Sequence, residues 1–126
     1  MKQRIEVNIT KAVTIQKVKD LLTTALEGGS NYWYSELEPL QTPKGKKPSD
    51  YEFWHIDIPF EPTGLIGITD ADGDEHELGF LTIKRGLETM AAKYPEHWAD
   101  FLTERDDAIT GDVFLQCCLF DDVIYG

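Results

Sequence analysis

Leu65-Ile66-Gly67-Ile68-Thr69-Asp70-Ala71-Asp72-Gly73-Asp74-Glu75-His76-Glu77-Leu78-Gly79-Phe80-Leu81 decides how the chain is read. Two apolar-rich runs, 65–69 and 76–81, flank Asp72-Gly73. That dipeptide is a strong tight-turn signal, because glycine reaches positive φ without a Cβ penalty. The stretch therefore predicts an antiparallel hairpin. Beyond it, Thr82 offers an N-cap, and Ile83, Leu87, Met90, Ala91 and Tyr94 recur at helical spacing. Pro95 ends that helix and opens another with Trp98, Phe101 and Leu102 on one face. A last helix is expected from near Thr110, burying Val113, Phe114, Cys117, Cys118 and Phe120, and residues 121–126 follow as a short strand or packed tail.

Working back from the hairpin, Tyr51 to Ile58 alternates as a strand does and is closed by Pro59 and Pro62. Gln41 to Asp50 holds two prolines, a glycine and Lys44, Lys46 and Lys47, and reads as an exposed basic loop. Tyr32-Trp33-Tyr34 has the aromatic content of a strand. Before it, Ile15, Val18, Leu21, Leu22, Ala25 and Leu26 form one helical face, with Thr14 as N-cap and Gly28-Gly29 as a stop through the left-handed conformation. Ile5, Val7 and Ile9 alternate with Arg4, Glu6, Asn8 and Thr10, the period of a half-buried strand. The sum is an α+β fold, a single domain over residues 1–126. It has a small, mostly antiparallel sheet of four or five strands packed with three or four helices.

Charge bounds the partners. The chain carries 12 basic and 23 acidic side chains, a net of −11. Residues 1–50 hold eight basic and six acidic groups, and residues 51–126 hold four and seventeen. Such a field repels phosphate backbones and anionic lipid, so direct nucleic-acid or membrane-surface binding is not expected. Nor does any apolar run approach the roughly 18 residues of a membrane span. The only cysteines, Cys117 and Cys118, are adjacent, where a bridge closes almost no loop. They read as reduced core thiols, and the expected compartment is the cytoplasm.

The chemistry-bearing residues divide into four groups. Asp70, Asp72 and Asp74 match the first ligands of a calcium loop. The sixth position, which needs glycine, holds Glu75, and the twelfth, which needs glutamate, holds Leu81. The stretch is better read as a hairpin tip with Asp70 facing Glu75, and no metal or cofactor is assigned. With Glu77, these residues form an acidic surface. His55 and Asp57 would share one face of a strand and seat a base or a metal, while His76 feels a diffuse acidic field and His97 lies at the surface. Cys117 and Cys118 lack a neighbouring base, so no catalytic residue is assigned. Finally, Gly28 to Tyr34 places three aromatics after a helix end, either packed under the basic loop or forming a platform for a small molecule or nucleotide.

Two segments resemble a group of short bacteriophage and prophage proteins. One is Leu21-Leu22-Thr23-Thr24-Ala25-Leu26-Glu27-Gly28-Gly29-Ser30-Asn31-Tyr32-Trp33. The other runs from Asp112-Val113-Phe114-Leu115-Gln116 to Val123-Ile124-Tyr125-Gly126. The resemblance implies a phage gene product made in a bacterial cytoplasm, and no mechanism. In that group the tail tends to read Leu-Phe-Gly where this chain has Leu119-Phe120-Asp121, so the last helix is expected to run on by a turn. If the two segments meet, a site would join Glu27, Asn31, Tyr32 and Trp33 to Asp112, Gln116 and Tyr125. Within it, Gln116 interrupts an apolar helix face and must bond a buried backbone group or face a ligand. The leading functional expectation is a non-catalytic phage accessory protein that binds a host protein through its acidic surface. A ligand-binding module using Gly28–Tyr34 is the alternative, and a homodimer is compatible with exposed aromatics near 32–34 or 51–54.

Overall fold

The computed structural model describes residues 3–126. Helix α1, Ile15–Thr24, starts at Thr14, whose Oγ1 accepts the Lys17 amide at 3.2 Å. The helix widens into a π turn over Ala25–Gly29, where the Ser30 amide reaches back to the Ala25 carbonyl at 2.8 Å. Gly28 and Gly29 both keep ordinary negative φ, so they do not stop the helix by a left-handed turn. Gly29 is needed for close approach instead, since a Cβ there would lie 2.2 Å from the Ala108 carbonyl oxygen.

Strand β1, Tyr34–Gln41, then leads to the loop before α2, Trp54–Asp57, and a 3-10 turn over Ile58–Phe60. Strands β2, Leu65–Asp70, and β3, Glu75–Leu78, form the predicted hairpin, with Gly73 at φ +85°. Helices α3 (Phe80–Lys93), α4 (Pro95–Leu102) and α5 (Ala108–Phe120) complete the fold. The fold is α+β, and the described sheet has three antiparallel strands in the order β1-β2-β3.

The differences from the sequence reading have physical causes. Residues 5–10 form no strand, because nothing pairs with them: Ile5, Val7 and Ile9 are 90%, 70% and 83% exposed. Residues 51–58 form a turn and then, from Trp54, helix rather than a strand. One turn of α2 followed by a 3-10 turn still buries Ile56 and Ile58, so the alternation is satisfied without a strand. Of the aromatic run Tyr32-Trp33-Tyr34, the first two residues lie in a turn and Tyr34 opens the strand, which continues through Pro39, as an edge strand tolerates. Helix α3 opens at Phe80, two residues before the expected cap. Helix α5 does not run on past Phe120. Asp121 itself adopts the left-handed conformation, φ 58°, that glycine usually supplies, and its carboxylate pairs with Arg85 Nε at 3.0 Å.

The core lies between the inner sheet face and the helices. Ile66, Ile68 and Leu78 meet Leu21, Leu22, Met90, Phe101 and Phe114, and α5 is the central element. Gly86 lets α3 press on α5, since a Cβ there would sit 2.2 Å from Cys118 Sγ.

Candidate interaction surface

The two segments singled out in the sequence meet at one carboxylate. Asp112, on the first turns of α5, accepts four side-chain donors. Oδ1 takes the Ser30 hydroxyl at 2.8 Å, Trp33 Nε1 at 2.7 Å and Gln116 Nε2 at 3.1 Å, and Oδ2 takes the Tyr32 hydroxyl at 2.6 Å. Gln116 is fully buried and turns the other way as well. Its Oε1 accepts the amides of Ile124 and Tyr125, each at 2.8 Å, and its Nε2 donates to the Tyr125 carbonyl at 3.1 Å. The tail is thereby pinned, and Tyr125 lies flat on Trp33, ring centroids 5.4 Å apart and planes 1° from parallel. Phe120 meets the same indole edge-on at 5.4 Å.

This arrangement is a lock. Trp33 is 1% exposed and Gln116 is sealed, so the polar atoms that a flat ligand would need are already bonded within the chain. Gln116 bonds buried backbone groups, the first of the two roles open to it. Glu27 and Asn31 stay at the surface, and only Tyr32 of the three aromatics offers an open ring face. The Tyr32 hydroxyl is pushed up to about 12, by desolvation first and then by the hydrogen bond to Asp112 and its charge. Tyr34 hands its hydroxyl proton bond to the Leu26 carbonyl, which fixes the π turn against β1.

The hairpin tip is held from inside. The Asp70 carboxylate is buried and accepts the amides of Asp72 and Asp74 at 2.9 and 3.0 Å through Oδ1, and its Oδ2 lies 2.7 Å from His76 Nε2. The His76 bond, then these amides, hold its pKa below the ordinary aspartate range. His76 thus has a specific partner rather than a diffuse field, and Asp70 turns away from Glu75. Asp72 meets the tail, accepting the Tyr125 hydroxyl at 3.1 Å. Asp57 is bound to Lys19 at 3.0 Å, so His55 and Asp57 do not form a strand-face pair. His97 is half-buried, with Nδ1 3.0 Å from the Thr110 hydroxyl. Burial pushes the Cys117 thiol up to about 12 and Cys118 well above the usual thiol range, which suppresses the thiolates. Lys44, Lys46 and Lys47 are exposed, with Lys46 Nζ over the Tyr51 ring at 5.5 Å.

What the sequence did not resolve is the outer sheet face. The register pairs Glu38 with Gly67 and Gly67 with Glu77, and pairs Glu36 with Thr69 and Thr69 with Glu75. Because Ile66, Ile68 and Leu78 face inward, alternation turns all four glutamates outward, flanking Gly67 and Thr69 of the central strand. Gly67 leaves room for the Glu75 side chain to lie across it, 2.8 Å from where a Cβ would be. Glu75 reaches Glu38, and the hydrogen bond between the two carboxyl groups pushes the Glu75 pKa up, with desolvation and the charges of Glu38, Glu77 and Glu36 adding to it. Among the described residues none of these four glutamates forms an ion pair with a basic side chain. The like-charge contact foreseen for Asp70 and Glu75 is therefore made by Glu38 and Glu75. Pro39 hides the strand pattern of Glu36 and Glu38 in the sequence.

Among the described residues no helix is long and apolar enough to cross a membrane, and no cluster of three or more histidines, cysteines or carboxylates has metal-binding geometry. Comparison of the chain with protein-family models, curated proteins and solved structures found no match.

Proposed function

We propose that the protein is a non-catalytic binding protein whose acidic sheet face engages a basic surface on a partner protein. Carrying the reading is the row of Glu36, Glu38, Glu75 and Glu77 on the outer sheet face, exposed and without compensating cations among the described residues. Like charges set side by side on a sheet destabilise it, and among the described residues no basic side chain pairs with these four to offset that repulsion. The exposed carboxylates of Asp72 and Asp74 at the hairpin tip extend the same field. A partner that places lysines or arginines over it relieves the repulsion and gains Coulomb attraction in one step. The resemblance to phage proteins makes a bacterial host protein the natural partner, with a nucleic-acid-binding groove as the kind of basic surface that fits. The reading places the interaction in a bacterial cytoplasm.

The test compares the immobilised protein with a variant carrying Glu36→Gln, Glu38→Gln, Glu75→Gln and Glu77→Gln as baits in host lysate at low and raised salt. The expected result is a partner retained by the wild type at low salt, released at raised salt and absent from the variant. Retention equal on both baits, retention indifferent to salt, or no retained partner overturns the proposal.

A further inference from the structure

Between α1, α3 and α4 the helices leave a groove of about 730 Å³. That is the size of a small-molecule pocket, roughly 300–1,000 Å³, and the space between packed helices is a usual place for one. The buried side chains of Val18 and Ile83 form its floor, with half-buried Leu87 and Trp98 beside them. One wall is the chain's own approach to α1, through Thr10, Lys11 and Val13. None of the lining residues belongs to the sheet, so the groove is a separate site from the acidic face.

Polarity and charge along the groove name the chemistry of its occupant. The polar lining side chains are Thr10, Lys11, Lys84 and Glu88, and all four are exposed at the rim. The interior is therefore aliphatic and aromatic, which suits an alkyl chain and offers little to a polar ring. The rim has the opposite balance to the rest of the molecule. It carries two lysines to one glutamate, in a chain of 12 basic and 23 acidic side chains. Lys84 Nζ lies 3.1 Å from Glu88, a weak pair on an open helix surface, and Lys11 has no ion-pair partner among the described residues. An anionic head thus finds cations here, whereas a cationic head finds more carboxylates almost anywhere else on the surface.

We propose that the groove binds a free single-chain amphiphile with an anionic head, of the long-chain carboxylate class. Its alkyl chain lies against Val18, Ile83, Leu87 and Trp98, and its carboxylate sits at the rim with Lys11 and Lys84. Burying the alkyl chain supplies the affinity, and the two lysines set the sign of the head group.

Calorimetric titration of the full chain with decanoate, kept below its micelle-forming concentration, tests it. Binding of one molecule per chain in the micromolar range is expected, with butyrate weaker by about a hundredfold or more because most of the alkyl chain is gone. Decyltrimethylammonium has the same chain and the opposite charge. It should bind about tenfold or more weakly than decanoate, although a net charge of −11 favours it at long range. Combining Lys11→Gln with Lys84→Gln should weaken decanoate by about tenfold or more. Both lysines are exposed, so the variant keeps its fold, which circular dichroism checks. Trp98 lines the groove and Trp33 and Trp54 do not, so decanoate should change the tryptophan fluorescence of the wild type and leave that of Trp98→Phe unchanged. No decanoate binding, equal binding of the cation, affinity untouched by the double substitution, or a fluorescence change that survives Trp98→Phe overturns the proposal. So does co-sedimentation with phosphatidylglycerol vesicles, which would make the groove a membrane contact instead of a site for the free amphiphile.

Discussion

Replacing Asp112 with alanine removes the acceptor on which the two ends of the fold converge. Of its four donors, Tyr32 is half exposed and can turn its hydroxyl to water. Ser30 is buried, but its hydroxyl can rotate towards a nearby carbonyl. Trp33 Nε1 cannot move, because the indole is held between Tyr125 and Phe120. Gln116 keeps its bond to the Tyr125 carbonyl and loses the one to Asp112. One donor is stranded outright and a second is left under-satisfied, at about 1–3 kcal/mol each, so the expected loss is roughly 2–6 kcal/mol. A chain of this size is stable by roughly 6–19 kcal/mol, so the variant should still fold. Asp112→Asn is the discriminating partner. Its Oδ1 still serves Ser30, Trp33 and Gln116, and the Tyr32 hydroxyl can accept from the new amide, so the loss should be about 1 kcal/mol. Urea unfolding followed by tryptophan fluorescence reads both, as shifts in midpoint at constant slope. An alanine variant within about 1 kcal/mol of wild type, or an asparagine variant as damaged as alanine, would refute the view that acceptor geometry holds the lock.

Gln116→Leu should cost about 2–4 kcal/mol, because it strands the Ile124 and Tyr125 amides; hydrogen exchange should show the tail losing protection before the rest of the chain. In an alkaline ultraviolet titration one tyrosine should titrate near pH 12, and Asp112→Asn should bring it down. Tyr32 is raised in the fold, so the stability it lends is present below the ordinary tyrosine pKa of about 10 and is lost as pH climbs from there. Asp70 is lowered, so its contribution stands above the ordinary aspartate range and is lost as pH falls through its folded value. Acid unfolding of Asp70→Asn should accordingly start from a less stable protein and show a flatter pH dependence. Gly29→Ala should lower stability by about 3 kcal/mol or more, read by thermal melting, since the Ala108 carbonyl against which the new Cβ would press is main chain.

How far the sequence carries the fold depends on where each signal is local. Thr14 as cap, the Asp72-Gly73 turn and Pro95 between two helices act within a few residues, and each lies where its spacing placed it. Strand partners are not local. The Ile5-Val7-Ile9 alternation is as regular as that of any strand here, yet it finds no neighbour within its own chain, whereas Tyr34–Gln41 pairs with β2 despite Pro39 and two adjacent glutamates. Tertiary pairing outweighed propensity in both places. The same limit applies to the sites. Asp112, Gln116, Tyr32 and Trp33 were visible as unusual residues, and their joint geometry was not, because four hydrogen bonds at a sequence separation of about eighty have no periodic signature. The acidic sheet face required the register, which pairs Glu38 and Glu77 with the same glycine.

The Asp112 lock also sets a timetable for the growing chain. Ser30, Tyr32 and Trp33 leave the ribosome 79 to 82 residues before the carboxylate that receives them. At about 5–20 residues per second that interval lasts roughly 4–16 s. Throughout it the indole and the apolar face of α1, whose cover is completed only when α5 and the tail arrive, stay partly open to water. The nascent chain therefore presents a sticky surface for seconds and then loses it within one late collapse. Its yield in a cell should accordingly depend more on chaperones that hold nascent chains than on the stability of the finished fold.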